Sequence, residues 1–341
     1  MRKKEILAKA MRCTGMGTLA GFLRHLAVSD LPILAYHRVY DVVDESSFPF
    51  DPELVSATPT EFAWQMQYVK DRHSPITFQM LIDSMDGRVV LPPRPVIVTF
   101  DDGYDDNYHH AFPVLKALNI PATIFISTGY VGSDKPFWFD LIAHILYRAR
   151  PGVMRFDDLG LVVHLREDVA SRRTASDNLL VAIKSLGNER RLEFLSRLEK
   201  EYGAVVDRSS LRHSHPLNWE QIREMSLHGI EFGSHTVSHP ILSSLDGPSL
   251  DSELAESMAH LERELGKPVS VLAYPVGGAE AFNANVISSA KAAGYRLGVS
   301  YIPGVNLLNR LDHFRLRRQH VERYTSRAYF TGLLGLPEIF R

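Results

Sequence analysis

Two adjacent carboxylates, directly after an apolar run, are the first residues in this chain whose types and spacing indicate chemistry. Asp101 and Asp102 follow residues 96–100, Val-Ile-Val-Thr-Phe, which have the composition of a strand buried on both faces. In parallel α/β proteins, ligands bind at the carboxyl ends of the strands. The two charges repel each other, and a bound cation would stabilise both, while Gly103 permits a sharp turn. A plain turn with an aspartate helix cap is the alternative.

A pair of histidines four residues apart forms the second candidate site. His235 and His239 lie in the segment Ser-His-Thr-Val-Ser-His-Pro, which follows a short strand candidate. This spacing can direct two imidazoles at one ion, and Pro240 favours a loop or a helix end over a helix interior. The chain has 15 histidines, so a chance pair is the alternative. One carboxylate and two imidazoles form a ligand set that leaves a metal position open for water.

A third motif, Tyr-Pro-Val-Gly at residues 274–277, also stands at the end of a strand candidate. Proline and glycine fix a loop whose backbone N–H groups can face a developing negative charge. By itself, this motif is equally typical of an ordinary connecting loop.

The elements that must position these residues alternate along the chain. The strand candidates are three apolar runs at residues 32–36, 96–100 and 122–127, and weaker runs at 231–233, 270–274 and 296–300. Helical patterns lie between them, and some begin at a capping residue such as Thr58 or Asn218. This alternation predicts an α/β domain with a parallel sheet, either open or closed into a barrel.

Residues 133–217 interrupt the alternation with a charged and mostly helical pattern. We interpret them as a helical insertion between two strands of one domain, in preference to a separate domain. Because the insertion leaves the chain at the same sheet end as Asp101 and His235, it is expected to form a cap over the site, with Trp138 near its mouth.

Length and composition limit the class of protein. The chain has 341 residues, 45% of them hydrophobic and 23% charged, with a formal net charge of −2. These values exclude a disordered chain, a fibrous repeat and a disulfide-stapled small domain, and nothing in them indicates a nucleic-acid partner. The single cysteine, Cys13, is compatible with a reducing compartment, and we predict a cytoplasmic location.

The first 30 residues form a basic amphipathic segment. Residues 1–26 contain six Lys or Arg and one Glu. The helical spacing of the apolar side chains predicts a short helix that packs on the protein, and these side chains are Leu19, Phe22, Leu23 and Leu26. The alternatives are peripheral contact of residues 1–26 with an anionic membrane and a cleaved secretion signal.

The order of the three motifs resembles that of the polysaccharide deacetylase family, also called the NodB-homology or carbohydrate esterase family 4. The motifs are Thr-Phe-Asp-Asp-Gly at 99–103, His-Thr-x-x-His-Pro at 235–240 and Tyr-Pro-x-Gly at 274–277. The segments 34–39 and 273–275 resemble a bacterial subgroup associated with exopolysaccharide and surface-glycan synthesis. The resemblance implies that residues 31–341 form a distorted (β/α) barrel of the NodB-homology type with a helical insertion. It also implies hydrolysis of an N-acetyl group from an amino sugar.

The same resemblance implies a role for each motif residue. Asp101 matches the general base of the family, and Asp102, His235 and His239 match its metal ligands. The expected cofactor is a divalent metal, Zn²⁺ in the first place, with Co²⁺ or Ni²⁺ as alternatives.

Two departures from the family pattern concern the base and the acid. Many members carry an arginine that tethers the catalytic aspartate, and Ala273 occupies that position here. Arg318, or else Arg317, is the candidate substitute. The general acid of the family is a histidine in a late motif, for which His320 is preferred here over His313.

Five further residues are candidates for contact with the substrate. Val276, after Pro275, matches the residue whose backbone helps to hold the oxyanion. His37 ends the first strand candidate and is expected either to face the cavity or to be a structural histidine. The rings of Tyr104 and Trp138 follow strand ends, where they can stack on sugar faces, or they are ordinary core aromatics.

The leading hypothesis is therefore a metal-dependent deacetylase of an N-acetylated polysaccharide, glycolipid or glycan precursor. An esterase or amidohydrolase acting on another small acyl substrate is the alternative enzyme. A catalytically silent glycan-binding protein is the alternative from another class.

Overall fold

The computed structural model describes residues 2–13, 20–21, 24, 27–45, 48, 50–203 and 215–340. The predicted amphipathic positions Leu19, Phe22, Leu23 and Leu26 lie outside the described residues. The helix α1 (Arg2–Cys13) precedes them.

Seven parallel strands form a closed barrel. They are β1 (Ile33–Tyr36), β2 (Pro95–Phe100), β3 (Ala122–Ile126), β4 (Ile230–Ser234), β5 (Val271–Ala273), β6 (Leu297–Pro303) and β7 (Leu316–His320). Around the barrel the order is β1-β7-β6-β5-β4-β3-β2, and pairing of β1 with β2 closes it. The (β/α) barrel that the family resemblance implied is therefore confirmed.

The register places the ends of these strands at one level. Phe100 pairs with Tyr36 on one side and with Ile124 on the other, and Ser234 pairs with Ile126 and Leu272. Residues that follow β1, β2, β4 and β5 therefore emerge at the same end of the barrel.

Helices cover the outside of the barrel. They are α2 (Pro59–Arg72), α3 (Phe78–Met85), α4 (Phe112–Leu118), α8 (Trp219–Leu227), α9 (Gly247–Leu265), α10 (Ala284–Ala293), α11 (Arg327–Gly335) and α12 (Pro337–Phe340), while α5 (Trp138–Arg148), α6 (Val169–Lys184) and α7 (Asn188–Tyr202) belong to the insertion. Thr58 Oγ1 accepts a hydrogen bond from Glu61 N at the start of α2, and Asn218 forms a reciprocal capping box with Gln221 at the start of α8.

Shorter elements complete the architecture. The small strands are Asp30–Leu31 with Asn306–Leu307, Arg38–Val39 with Val55–Ala57, Ser74–Pro75 on the outer edge of β2, and Gly152–Phe156 with Leu161–Leu165. The 3₁₀ turns are Pro52–Leu54, Asp157–Leu159, Leu242–Ser244 and Leu308–Arg310, and a π-helical turn, Asn107–Ala111, leads into α4.

Side chains of the barrel strands alternate between two buried clusters. Ile33 and Ile97 belong to one cluster, together with Phe125, whereas their neighbours Leu34 and Val98 pack in a second cluster with the helices. Because side chains on a strand alternate with period two, Ile97, Thr99 and Asp101 share one face of β2 and its extension. Asp101 thus continues an inward-facing row at the end of the barrel.

The insertion contains α5, α6 and α7 and has a hydrophobic cluster of its own. Ile142, Leu146, Leu179, Ile183 and Phe194 are among its buried members. The mostly helical prediction for residues 133–217 missed one feature, the antiparallel hairpin of Gly152–Phe156 and Leu161–Leu165. Each of these strands has only two buried side chains, which alternate with exposed ones, so the period-two signal is short and easily lost among charged residues.

Candidate active site

One cavity of about 310 Å³ opens at the carboxyl end of the barrel. Most of the residues singled out in the sequence meet in its wall, namely His37 after β1, Asp101 and Asp102 after β2, Trp138 from the insertion, His235 and His239 after β4, and Val276 after β5. The strand register accounts for this convergence, since these residues lie far apart in the sequence.

Asp102, His235 and His239 form a buried cluster of potential metal ligands. Asp102 Oδ1 lies 3.5 Å from His235 Nε2 and 3.3 Å from His239 Nε2, and the three ligand atoms lie within 4.8 Å of one another. His235 Nδ1 donates a hydrogen bond to the carbonyl of Ala273 at 2.8 Å, which leaves its Nε2 lone pair directed at the cluster. The donor set and its tautomer therefore fit a divalent metal ion.

The electrostatics of the cluster favour neutral imidazoles. Burial lowers the pKa of His235 to about 4 and the pKa of His239 to about 3. Both rings are therefore uncharged near pH 7, which is the form that binds a metal. Burial raises the pKa of Asp102 from its ordinary value, although the nearby histidines oppose that rise.

Backbone strain is concentrated at this site. Among the described residues, six that are not glycine have a positive φ, and four of them surround the cavity: Asp102 at 71°, Thr236 at 71°, His239 at 55° and Val276 at 63°. Thr236 and Val276 are β-branched, so this conformation is costly for them. Strain of this kind persists only where the surrounding structure holds it in place, and it is typical of functional sites.

A carboxylate from α9 holds the loop that carries the two histidines. Glu253 accepts hydrogen bonds from Val237 N at 2.7 Å, from Ser238 N at 3.0 Å and from Ser238 Oγ at 2.5 Å. Within the loop, Thr236 Oγ1 accepts a hydrogen bond from His239 N at 3.1 Å. No sequence motif marks Glu253 for this role, because α9 has the pattern of an ordinary amphipathic helix.

Arg318 holds the first aspartate of the pair. Its Nη1 and Nη2 donate to the two carboxylate oxygens of Asp101, each at 2.7 Å, and its Nε donates to Ser300 O at 2.8 Å. Burial would raise the pKa of Asp101, but the charge and hydrogen bonds of Arg318 outweigh it and hold that pKa well below the ordinary value. Arg318, and not Arg317, therefore makes the tether expected where Ala273 lacks one.

The structure places His37, and not His320, beside the aspartates. His37 Nε2 lies 3.9 Å from Asp101 Oδ2, and the His37 ring meets the ring of Tyr301 edge-on at 5.3 Å. His320 stacks on Tyr301 at 3.7 Å, donates from Nε2 to the Tyr301 carbonyl and lines a different pocket of about 150 Å³. Because His37 lines the cavity and His320 does not, His37 replaces His320 as the candidate for the general acid.

Tyr104 is also misplaced by the sequence-based prediction. Its side chain is fully buried, its hydroxyl donates to Asp140 Oδ2 at 2.8 Å, and the guanidinium of Arg38 lies 4.4 Å from its ring centre. The ring therefore has no free face for a sugar. It joins the barrel to α5 of the insertion.

The other predicted substrate residues lie in or next to the cavity wall. Val276 lines the cavity, and Pro275 is buried beside it. Trp138 also lines the cavity, but only 4% of it is exposed, and its indole N–H donates to the carbonyl of His239 at 3.2 Å.

The cavity wall also contains charged residues that the sequence did not single out. They are Asp51, Glu53, Glu322 and Lys184, the last of which ends α6. They come from loops and from the insertion, where no motif marks them.

Comparisons with known proteins agree with the chemistry that the geometry of the site indicates. Residues 88–298 match the sequence profile of the polysaccharide deacetylase family. The Bacillus subtilis protein YxkH is 26% identical over 209 residues, which cover 61% of this chain and 45% of YxkH. A Staphylococcus epidermidis poly-β-1,6-N-acetyl-D-glucosamine N-deacetylase is 35% identical over 107 residues, covering 29% of this chain and 37% of that protein. The matches thus span less than half the length of either relative.

Among solved structures, the Streptococcus pyogenes deacetylase PplD, in complex with acetate, has a similar fold. The TM-score is 0.57 at 20% sequence identity, and the alignment covers 88% of this chain and 95% of PplD. At this level of identity, the similarity establishes the barrel fold alone.

Proposed function

The chain belongs to the polysaccharide deacetylase family, and on this premise we propose that it hydrolyses an N-acetyl group from an amino sugar in a polysaccharide, glycolipid or glycan precursor. The observation that carries the proposal is the buried Asp102–His235–His239 cluster next to an aspartate held by Arg318, in one open cavity. An N-acetyl group bound in this cavity would therefore lie next to both a metal site and a positioned base.

Asp102, His235 and His239 would hold the metal. Two imidazoles and a carboxylate support Zn²⁺ as the proposed ion, with Co²⁺ or Ni²⁺ as alternatives. When bound, such an ion supplies Lewis acidity and makes water more acidic, which is the chemistry that amide hydrolysis needs.

Asp101 is the proposed general base. Arg318 occupies both of its oxygens from the interior side, so the carboxylate is ionised and fixed in orientation towards the cavity. In that position, Asp101 accepts the proton of the attacking water. Arg318 acts through Asp101 and is a positioning residue.

His37 is the proposed general acid, because it lies in the cavity wall within 3.9 Å of Asp101. Burial holds the pKa of His37 below its ordinary value, and the charges of Asp102 and Asp101 offset only part of this effect. A protonated His37 can donate its proton to the departing amine. The backbone N–H of Val276, which also lines the cavity, is the proposed donor to the oxyanion.

A polymer of N-acetylglucosamine is the first substrate to test. The name of the S. epidermidis relative supports this choice. The charged side chains of the cavity wall, Asp51, Glu53, Lys184 and Glu322, offer hydrogen bonds to sugar hydroxyls.

Peripheral contact with an anionic membrane through residues 1–26 is a further part of the proposal. In α1, Ile6 and Leu7 are exposed beside the exposed Lys9, which gives this helix both apolar and cationic groups at the surface. In the part of the chain that the structure describes, no helix is long and apolar enough to cross a membrane. The cytoplasmic location remains a prediction.

The proposed activity is tested by measuring acetate release from a panel of N-acetylated and O-acetylated oligosaccharides. The account expects release from N-acetylated substrates and little from O-acetylated ones, with loss of release in Asp101→Asn. Preference for O-acetyl groups would favour the esterase alternative. Binding of oligosaccharides without any release would favour the silent glycan-binding protein.

A further inference from the structure

The insertion directly contacts the loop after β4 that carries the proposed metal ligands His235 and His239. Two of its side chains, from different helices, donate hydrogen bonds to the same backbone oxygen. Trp138 Nε1 of α5 lies 3.2 Å from the carbonyl oxygen of His239, and Arg191 Nη1 of α7 lies 3.3 Å from it.

Both donors are held firmly in place. Arg191 is 2% exposed and Trp138 is 4% exposed. Arg191 Nη2 donates to Asn188 Oδ1 at 2.8 Å, and its guanidinium carbon lies 5.2 Å from the centre of the Trp138 ring, a cation–π contact. Each donor therefore also fixes the position of the other.

The carbonyl that they share belongs to a strained residue. His239 has a φ of 55° and precedes Pro240, so the loop reaches this conformation only with outside support. Two hydrogen bonds to the His239 carbonyl oxygen restrain the ψ angle of this residue, and thereby the backbone from which its imidazole extends. Phe139, the neighbour of Trp138, also packs its ring 5.1 Å from the His239 imidazole.

We infer that the insertion is a structural part of the metal centre, in which Trp138 and Arg191 are positioning residues that hold His239 in its ligating conformation. The sequence alone predicted the insertion as a cap for sugar recognition. The inference rests on the metal site of the proposed function, and it concerns metal affinity in the absence of any substrate.

The test compares the metal affinity of full-length variants by competition with a chromophoric chelator. Trp138→Phe and Arg191→Gln each remove one donor, and Arg191→Lys keeps a cationic donor at the same position. Loss of a partner that orients a metal ligand typically weakens metal affinity about 10- to 100-fold. We expect this loss in Trp138→Phe and Arg191→Gln, a smaller loss in Arg191→Lys, and recovery of activity at saturating metal.

Arg190→Gln is the matched control, because Arg190 is an exposed neighbour on the same helix. Its metal affinity should equal that of the unaltered protein. Thermal unfolding of each metal-free variant establishes that it is folded, and a variant that does not fold is replaced by the milder Arg191→Lys.

The comparison of metal affinities has three possible results. Weakened metal binding in folded variants supports the inference. Unchanged metal affinity, with or without a raised KM for the glycan, overturns it and leaves the proposed function standing. Failure of the unaltered protein to bind a divalent metal would overturn both.

Discussion

At the scale of single residues, the two neighbouring aspartates differ only in what they touch. Asp101 faces inward and meets the fork of Arg318, whereas Asp102 adopts a positive φ and faces His235 and His239. The left-handed turn continues at Gly103, where an added Cβ would lie 2.6 Å from Ile126 Cδ1. These different contacts support the proposed roles of Asp101 as the general base and Asp102 as a metal ligand.

Asparagine substitutions should separate these two roles. Asp101→Asn is expected to keep the metal and to lose about 10²- to 10⁴-fold in kcat, since general-base assistance is worth that much. Asp102→Asn is expected to lose the metal. Metal content by elemental analysis, together with the rate of acetate release, checks both. Near-normal turnover in Asp101→Asn would place the base elsewhere.

A second pair of variants tests whether His37 or His320 is the proton donor. His37→Gln should lower kcat by about 10²- to 10⁴-fold, whereas His320→Gln should have a much smaller effect, because Tyr301 lies between His320 and the cavity. Steady-state kinetics on one N-acetylated oligosaccharide decides between them. A larger loss in His320→Gln would restore the assignment made from the sequence.

The buried histidines also predict how stability depends on pH. In the chelated protein, the pKa of His235 is about 4 and that of His239 about 3, against about 6.5 in the unfolded chain. Below pH 6.5 the unfolded chain binds protons that the folded protein does not, so the free energy of unfolding falls as the pH falls from 6.5 towards 4.

Urea unfolding of the chelated protein between pH 7.5 and 5 measures this slope. The double variant His235→Gln/His239→Gln should show a shallower decline than the unaltered chain. An identical slope in both proteins would mean that these histidines do not cause it.

Residue types and spacing were sufficient to predict the two aspartates and the histidine pair as candidates, whereas Arg318 was a candidate only through the family resemblance, with Arg317 as the alternative. They were insufficient for the acid, because His37 and His320 both stand at strand ends and only the position of Tyr301 distinguishes them. Tyr104 was placed wrongly for a similar reason, since a ring after a strand end can turn into the core, as it does here towards Asp140.

At the scale of elements, the loop after β4 is shaped by helices that contribute no ligand. Glu253 of α9 accepts from Val237 and Ser238, and the opposite side of the loop meets the insertion. A carboxylate is suited to this position because it accepts several hydrogen bonds at once.

Glu253→Gln should therefore weaken metal binding, because a neutral amide loses the negative charge that strengthens the hydrogen bonds from Val237 N and Ser238 N. We expect about a 10- to 100-fold lower metal affinity. Glu256→Gln on the same helix is the matched control, since Glu256 is exposed and accepts a hydrogen bond from Ser252 Oγ within α9. Chelator competition measures both, and equal affinities would remove Glu253 from the account.

The alternation of apolar runs predicted β1, β2 and β3 well, because each is buried on both faces and reads as a continuous apolar segment. It did not predict β7, whose sequence Leu-Arg-Arg-Gln-His is almost entirely polar. This strand is polar because it carries Arg318 into the barrel, so a functional requirement hides the structural signal.

At the scale of the whole molecule, a closed parallel sheet brings together motifs that are separated by most of the chain. Barrel closure through β1 and β2 places His37 beside Asp101, and pairing of β3 with β4 brings His235 to the level of the aspartates. The sequence pattern alone did not decide between an open sheet and a closed barrel. The resemblance to the family predicted the barrel. The insertion adds a hydrophobic cluster of its own, whose member Trp138 contacts this site.

The central claim is that the Asp102–His235–His239 cluster is a metal centre on which deacetylation depends. Titrating the chelated protein with Zn²⁺, and with Co²⁺ and Ni²⁺ in parallel, while recording acetate release from an N-acetylated oligosaccharide, tests it most directly. The account predicts that release rises in proportion to the added ion and levels off at one ion per chain, and that His235→Ala shows no such rise. Full release from thoroughly chelated protein, or full recovery of His235→Ala at one ion per chain, would contradict it.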